Sequence, residues 1–150
     1  MKRILVAIDL LEATNRVIKY TKNLAKKYDS KVCLVHSESI NTYVGATEPE
    51  YYESVSIEIM QAHKKMIKTH MQKLEAELQS ESIDCKSVIM EGPTVNNILE
   101  EIENFEPDLL ILGSHKHGKF YHLIFGTIHD SLLNKTDIPL LLIPPKNEEE

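Results

Sequence analysis

The sequence predicts an α/β fold, a doubly wound, Rossmann-like parallel sheet of five strands with helices on both faces, and three observations predict it. Five short apolar runs recur along the chain, none of them alternates apolar with polar residues, and segments with helical apolar spacing stand between them. A run of this length without alternation marks a strand covered on both faces, as parallel strands are. Strands separated by helices imply right-handed βαβ crossovers, which build such a sheet.

The elements follow in order. The first run is Ile4–Ile8 and ends at Asp9; a helical stripe of Val17, Ile18, Leu24, Ala25 and Tyr28 follows. The second run is Val32–Val35. Asn41 to Pro49 is the expected irregular connection, and the longest helical pattern, Ser54 to Leu78, carries Met60, Ile67, Met71, Leu74 and Leu78 on one side. His63 and His70 lie on or near that side, seven residues apart; a metal pair needs ligands one turn apart, so they read as boundary histidines. The third run is Ser87–Met90. Pro93-Thr94 then offers an N-cap for a helix with Val95, Ile98, Leu99, Ile102 and Phe105 on its stripe. The fourth run, Leu109–Leu112, leads into a glycine-bearing stretch and a helical pattern with Ile128, Leu132 and Leu133. The fifth is Leu140–Ile143.

Composition bounds the function. The 150 residues make one domain, expected over 1–145 with an acidic tail at 146–150, and that length buries a core without disulfide or metal. Cys33 and Cys85 lie in apolar runs and read as small buried thiols; with no secretory apolar core behind Met1-Lys2-Arg3 the expectation is a cytoplasmic chain. No apolar stretch reaches the ~18 residues a membrane span requires. Seventeen basic against twenty-three acidic residues give a net charge of −6, which argues against nucleic acid and anionic membrane as partners.

Against that acidic background, Leu109 to His129 contains no carboxylate, while it holds Lys116, Lys119 and four histidines. Three of the five glycines, Gly113, Gly118 and Gly126, stand there too. Glycines let main-chain N–H groups approach a phosphate, and a helix beginning at Gly126-Thr127 would add oriented donors, so the stretch can cradle an anion. Turn glycines and a capping box, Thr127-x-x-Asp130, explain the same residues without a ligand; spacing alone leaves both readings open. Gly113-x4-Gly118-Lys119 matches most of a P-loop, but Phe120 stands where Ser or Thr must hold Mg²⁺.

Gly113, Lys116, Gly126 and Thr127 fall on the positions of a Gly-x2-Gly-x9-Gly-Ser/Thr motif. With Ile8-Asp9, Val35-His36-Ser37, Glu91-Gly92-Pro93 and a last strand led by Pro139, the whole chain resembles the universal stress protein family. The resemblance implies strand order 3-2-1-4-5 and a site for ATP or another adenine nucleotide at the ends of the first, second and fourth strands. Ala7, Asp9, Ser37, Gly113, Ser114, His115, Lys116, Gly118, Gly126 and Thr127 are the implied binding residues. Asp9 would face ribose and phosphates or a bound Mg²⁺, the main chain near Ser37 the adenine edge, and Gly113, Ser114, Gly126 and Thr127 the phosphates. A homodimer paired through the last strand is implied as well, and with it a role as stress sensor or regulator.

Two departures from the family pattern stand out: Lys116 replaces the second motif glycine, and Leu10-Leu11 follows Asp9 where many relatives have Gly-Ser. Gly118 can supply the lost conformational freedom and the Lys116 ammonium can reach a phosphate. The competing expectations are a nucleotide-free stress protein acting through protein contacts, and a slow ATP hydrolase. No set of nucleophile, base and orienting group is visible: Ser114 and His115 are only sequence neighbours, and His36 follows a buried strand. His115, His117, His122 and His129 lack the cysteine or carboxylate partners of a metal cluster.

Overall fold

The computed structural model describes residues 1–11, 13–38, 52–113, 128 and 130–145, with the backbone alone at 52–56 and 130. The order is β1 (Arg3–Ala7), α1 (Thr14–Tyr28), β2 (Lys31–Glu38), α2 (Tyr52–Ser80), β3 (Cys85–Glu91), α3 (Thr94–Phe105), β4 (Leu109–Gly113), α4 (Asp130–Leu133) and β5 (Leu140–Ile143). All pairings are parallel, and the strand order is β3-β2-β1-β4-β5, as expected.

Strand side chains alternate between two faces, so each strand feeds two cores. On one face Ile4, Val6, Val32 and Leu34 pack with Val17, Ile18 and Ala25 of α1 and with Ile67, Met71, Leu74 and Leu78 of α2. On the other, Leu5, Cys33, Val35, Leu110 and Leu112 pack with Ile98 of α3 and Leu132 of α4. Each fully buried Leu or Ile contributes about 1.5–3 kcal/mol, so both faces hold the sheet.

Burial on both faces holds for β1, β2 and β4 and fails at the edges. On β3 only Cys85 is buried while Lys86, Ile89 and Glu91 are exposed, and β5 leaves Leu142 39% exposed. The reason is position: only one side of an outermost strand is covered by a neighbour. On β3 the main-chain groups of Cys85 and Ser87 point outward, and α2 reaches over to meet them. Gln79 Nε2 donates to the Cys85 carbonyl (2.8 Å), and Ser87 donates both its N–H (2.9 Å) and its hydroxyl to Glu75 Oε2.

Polar strand ends and helix ends also depart from expectation. β2 and β3 run past their apolar cores through His36-Ser37-Glu38 and Glu91, because parallel pairing continues there: Ser37 opposes Met90 and Glu38 opposes Glu91. Tyr28 and Met60, expected on buried stripes, are 42% and 36% exposed. The N-cap of α3 is Pro93, which has no side chain to donate or accept, and Thr94 is the first helical residue. Left-handed residues Asp29 and Glu106 close α1 and α3 by donating their N–H groups to Ala25 and Ile102 carbonyls.

Candidate functional site

β1 stops at Ala7 while β2 continues to Glu38, and that difference opens a cleft at the carboxyl ends of β1, β2 and β4. In doubly wound sheets this is where ligands bind, at the point where chain order reverses; here β1 lies between β2 and β4. The cleft measures about 230 Å³. Its walls are mainly apolar, from Val35, Ile98, Leu112 and Ile128, with Ala7, Asp9, Ser37, Thr94 and Gly113 around them. A pocket with apolar walls and a few placed polar groups is the usual form of a small-molecule site.

Asp9 stands at the mouth. Its Oδ1 accepts the Leu11 N–H at 2.9 Å and the Thr14 hydroxyl at 3.4 Å, an Asx turn that joins β1 to the first turn of α1. Leu10, inside that turn, has φ of 62°, a conformation that favours glycine. Asp9 Oδ2 faces Gly113, 4.0 Å from the place a Cβ on that glycine would take. The same Cβ would lie 3.0 Å from Ala13 Cβ and 3.4 Å from Val17 Cγ2, so Gly113 is the residue that lets α1 sit close to β4.

Ser37 marks the opposite wall. The N–H of Ile8 donates to the Val35 carbonyl (2.8 Å), so odd-numbered residues of β2 turn their main-chain groups toward β1. By the same alternation the N–H and C=O of Ser37 face the side on which β1 has ended. The Ser37 hydroxyl accepts from Asn97 Nδ2 (2.7 Å) and donates to the Gly92 carbonyl (3.3 Å). Asn97 is itself buried, at 6% exposure.

His36 holds the turn rather than the chemistry: its Nδ1 lies 2.7 Å from the Ile8 carbonyl, the contact of a hydrogen-bonded core histidine. His63 meets buried Glu38 at 3.3 Å, the boundary position expected of it. Burial pushes the thiols of Cys33 and Cys85 up to about 12, which keeps both protonated and unreactive. Among the described residues no group of three His, Cys, Asp or Glu side chains is arranged to hold a metal ion.

Of the expected binding residues, the structure gathers Ala7, Asp9, Ser37 and Gly113 around one cleft. Ser114, His115, Lys116, Gly118, Gly126 and Thr127 lie outside the described residues, as do the Asn41 to Pro49 connection and the 146–150 tail. The sequence reading missed the contribution of α3, namely Thr94, Ile98 and Asn97. The one signal for it was the pair Asn96-Asn97 between Val95 and Ile98, next to the apolar stripe.

Known proteins give the same frame. The model of the universal stress protein family matches residues 1–144. The chain is 26% identical to the universal stress protein A homolog of Haemophilus influenzae, over 98% of this chain and 99% of that one. The solved structure of MJ0577 from Methanocaldococcus jannaschii superposes with a TM-score of 0.76 at 22% identity, covering 98% of each chain. A universal stress protein family structure from Arabidopsis thaliana, with AMP bound, gives a TM-score of 0.69 at 17% identity over 99% of this chain and 95% of that one. With its fold and strand order in agreement and the family match running almost from end to end, this chain belongs to the universal stress protein family.

Proposed function

We propose that the cleft binds ATP or a related adenine nucleotide and that binding makes the protein a dimeric stress sensor or regulator rather than a fast enzyme. The carrying observation is the cleft itself, mainly apolar, with Asp9 and Ser37 among the few polar residues of its lining. The base stacks among Val35, Ile98 and Leu112. Asp9 accepts from ribose hydroxyls, and the acid-free stretch after β4, with Lys116 and Lys119, receives the phosphates. The AMP held by the Arabidopsis relative supports the choice of adenine.

Magnesium fits this arrangement as a shared ion. Asp9 would supply one hard carboxylate oxygen, and Mg²⁺ commonly combines one or two carboxylates with phosphates and water. It would neutralise phosphate charge beside Asp9.

Calorimetric titration with ATP and Mg²⁺ tests the reading. Saturable heat that is lost or weakened at least tenfold in Asp9→Ala is expected, and no heat at millimolar nucleotide would defeat it. Lys116 favours a second reading, protein contacts without nucleotide, because it occupies a motif glycine's place. Lys116→Gly then creates binding that the parent lacks.

A further inference from the structure

Asn97 is costly where it stands. It is a primary amide, 6% exposed, on the helix face that also buries Ile98 and Glu101. A buried amide destabilises unless its hydrogen bonds are made, and a leucine would fill similar volume without that demand. Its Nδ2 donates to Ser37 Oγ at 2.7 Å. The Ser37 hydroxyl hydrogen is directed in turn to the Gly92 carbonyl, 3.3 Å away. Gly92 is fixed from the other side: its φ is 118° and its N–H donates to the Glu38 carbonyl at 3.0 Å.

The chain of bonds has a direction. A hydroxyl has one hydrogen and two lone pairs. At Ser37, a residue of the cleft lining, the hydrogen goes to Gly92 and one lone pair takes the Asn97 N–H, so what the hydroxyl has left to offer a ligand is an acceptor. We infer that Asn97 is a specificity-determining positioning residue: it anchors Ser37 Oγ where the Gly92 carbonyl takes the hydroxyl hydrogen, and so selects a base bearing an amino group at C6 over one bearing a carbonyl there. This rests on the adenine-nucleotide reading above and names the residue pair that enforces it. A 6-oxo base would set its oxygen against that lone pair, or would have to break the Ser37–Gly92 bond to be accommodated.

Calorimetric titrations with ATP and with ITP, whose base has a C6 carbonyl, read the selectivity, and thermal unfolding confirms that each variant is folded. The parent is expected to favour ATP about tenfold, the equivalent of one hydrogen bond. In Asn97→Leu the Ser37 hydroxyl loses its 2.7 Å anchor and keeps only the longer bond to the Gly92 carbonyl (3.3 Å), so its oxygen can shift and turn its hydrogen to a 6-oxo base, and the ratio falls to about twofold; Ser37→Ala, which leaves the helix packing alone, lowers it likewise and serves if Asn97→Leu does not fold. A purely structural Asn97 would lower both affinities together and leave the ratio alone, which overturns the inference. Equal affinity of the parent for ATP and ITP overturns it while leaving nucleotide binding intact. Absence of binding to either defeats it together with the reading beneath it.

Discussion

Gly113 shows how one residue serves both packing and site. Its place in the sequence points to an anion-binding stretch, yet in the fold it also sets how closely α1 approaches β4. A Cβ there would press on Ala13 at 3.0 Å and on Val17 at 3.4 Å, both buried. Gly113→Ala is therefore expected to displace the first turn of α1, and with it Thr14 and the Asx turn at Asp9, at a cost of about 1–3 kcal/mol. Urea unfolding measures it; a variant as stable as the parent would show that α1 has room the geometry denies. Asn97 teaches the converse. In the sequence it is one of two adjacent asparagines between Val95 and Ile98, and nothing in the spacing says that its partner is a serine sixty residues earlier. Its meaning depends on a contact between α3 and β2 that only the crossover creates.

At the scale of elements, the apolar runs made every strand legible, while their ends were not. His36, Ser37 and Glu38 carry no apolar signal, and they are strand because β3 pairs with them, a long-range cause that local pattern does not record. The helix pair α1 and α2 is similar. Their apolar stripes were legible; the ionic clasp that joins the end of α2 to α1 was not. Lys22 Nζ lies 2.6 Å from Glu77 and 2.5 Å from Glu81, and Lys26 Nζ lies 2.6 Å from the other oxygen of Glu81. Hydrogen bonds from Lys22, then from Lys26, hold the Glu81 carboxyl at about 2, against 4.5 for an ordinary glutamate. A carboxyl lowered on folding stabilises the native state above its unfolded pKa, and that contribution disappears as pH falls from 4.5 toward 2. Glu81→Gln should therefore lower the urea midpoint at pH 7 and flatten its decline over that window. Because Glu81 is a third exposed, added salt should shrink the difference. Parallel acid limbs in parent and variant would show that the clasp carries no folding energy.

For the molecule as a whole, the two cores on opposite faces leave one question of assembly, and it concerns the far edge from the guarded β3. β5 is bonded to β4 alone in the sheet order, and Pro139, Pro144 and Pro145 flank rather than interrupt it. Arg16 of α1 donates to the carbonyls of Pro144 and Pro145 at 2.9 and 3.1 Å, so the chain leaving the strand is tied back to the body. The Leu110 N–H donates to the Pro139 carbonyl, which places the main-chain groups of Leu141 and Ile143 toward β4 and those of Leu140 and Leu142 outward. An apolar edge with outward N–H and C=O groups is a template for another strand, and a second copy meeting it across a two-fold axis is the self-limiting solution. Leu142→Pro tests this cleanly. It removes an outward N–H and leaves the ladder to β4 intact, and edge strands tolerate proline on that side. Light scattering after size exclusion should find a dimer for the parent and a monomer for Leu142→Pro, with helix and strand content unchanged by circular dichroism. A monomeric parent would mean that the proline bracket and the Arg16 tie are sufficient protection for the edge; a variant that remains dimeric would place the two-fold contact elsewhere than on β5.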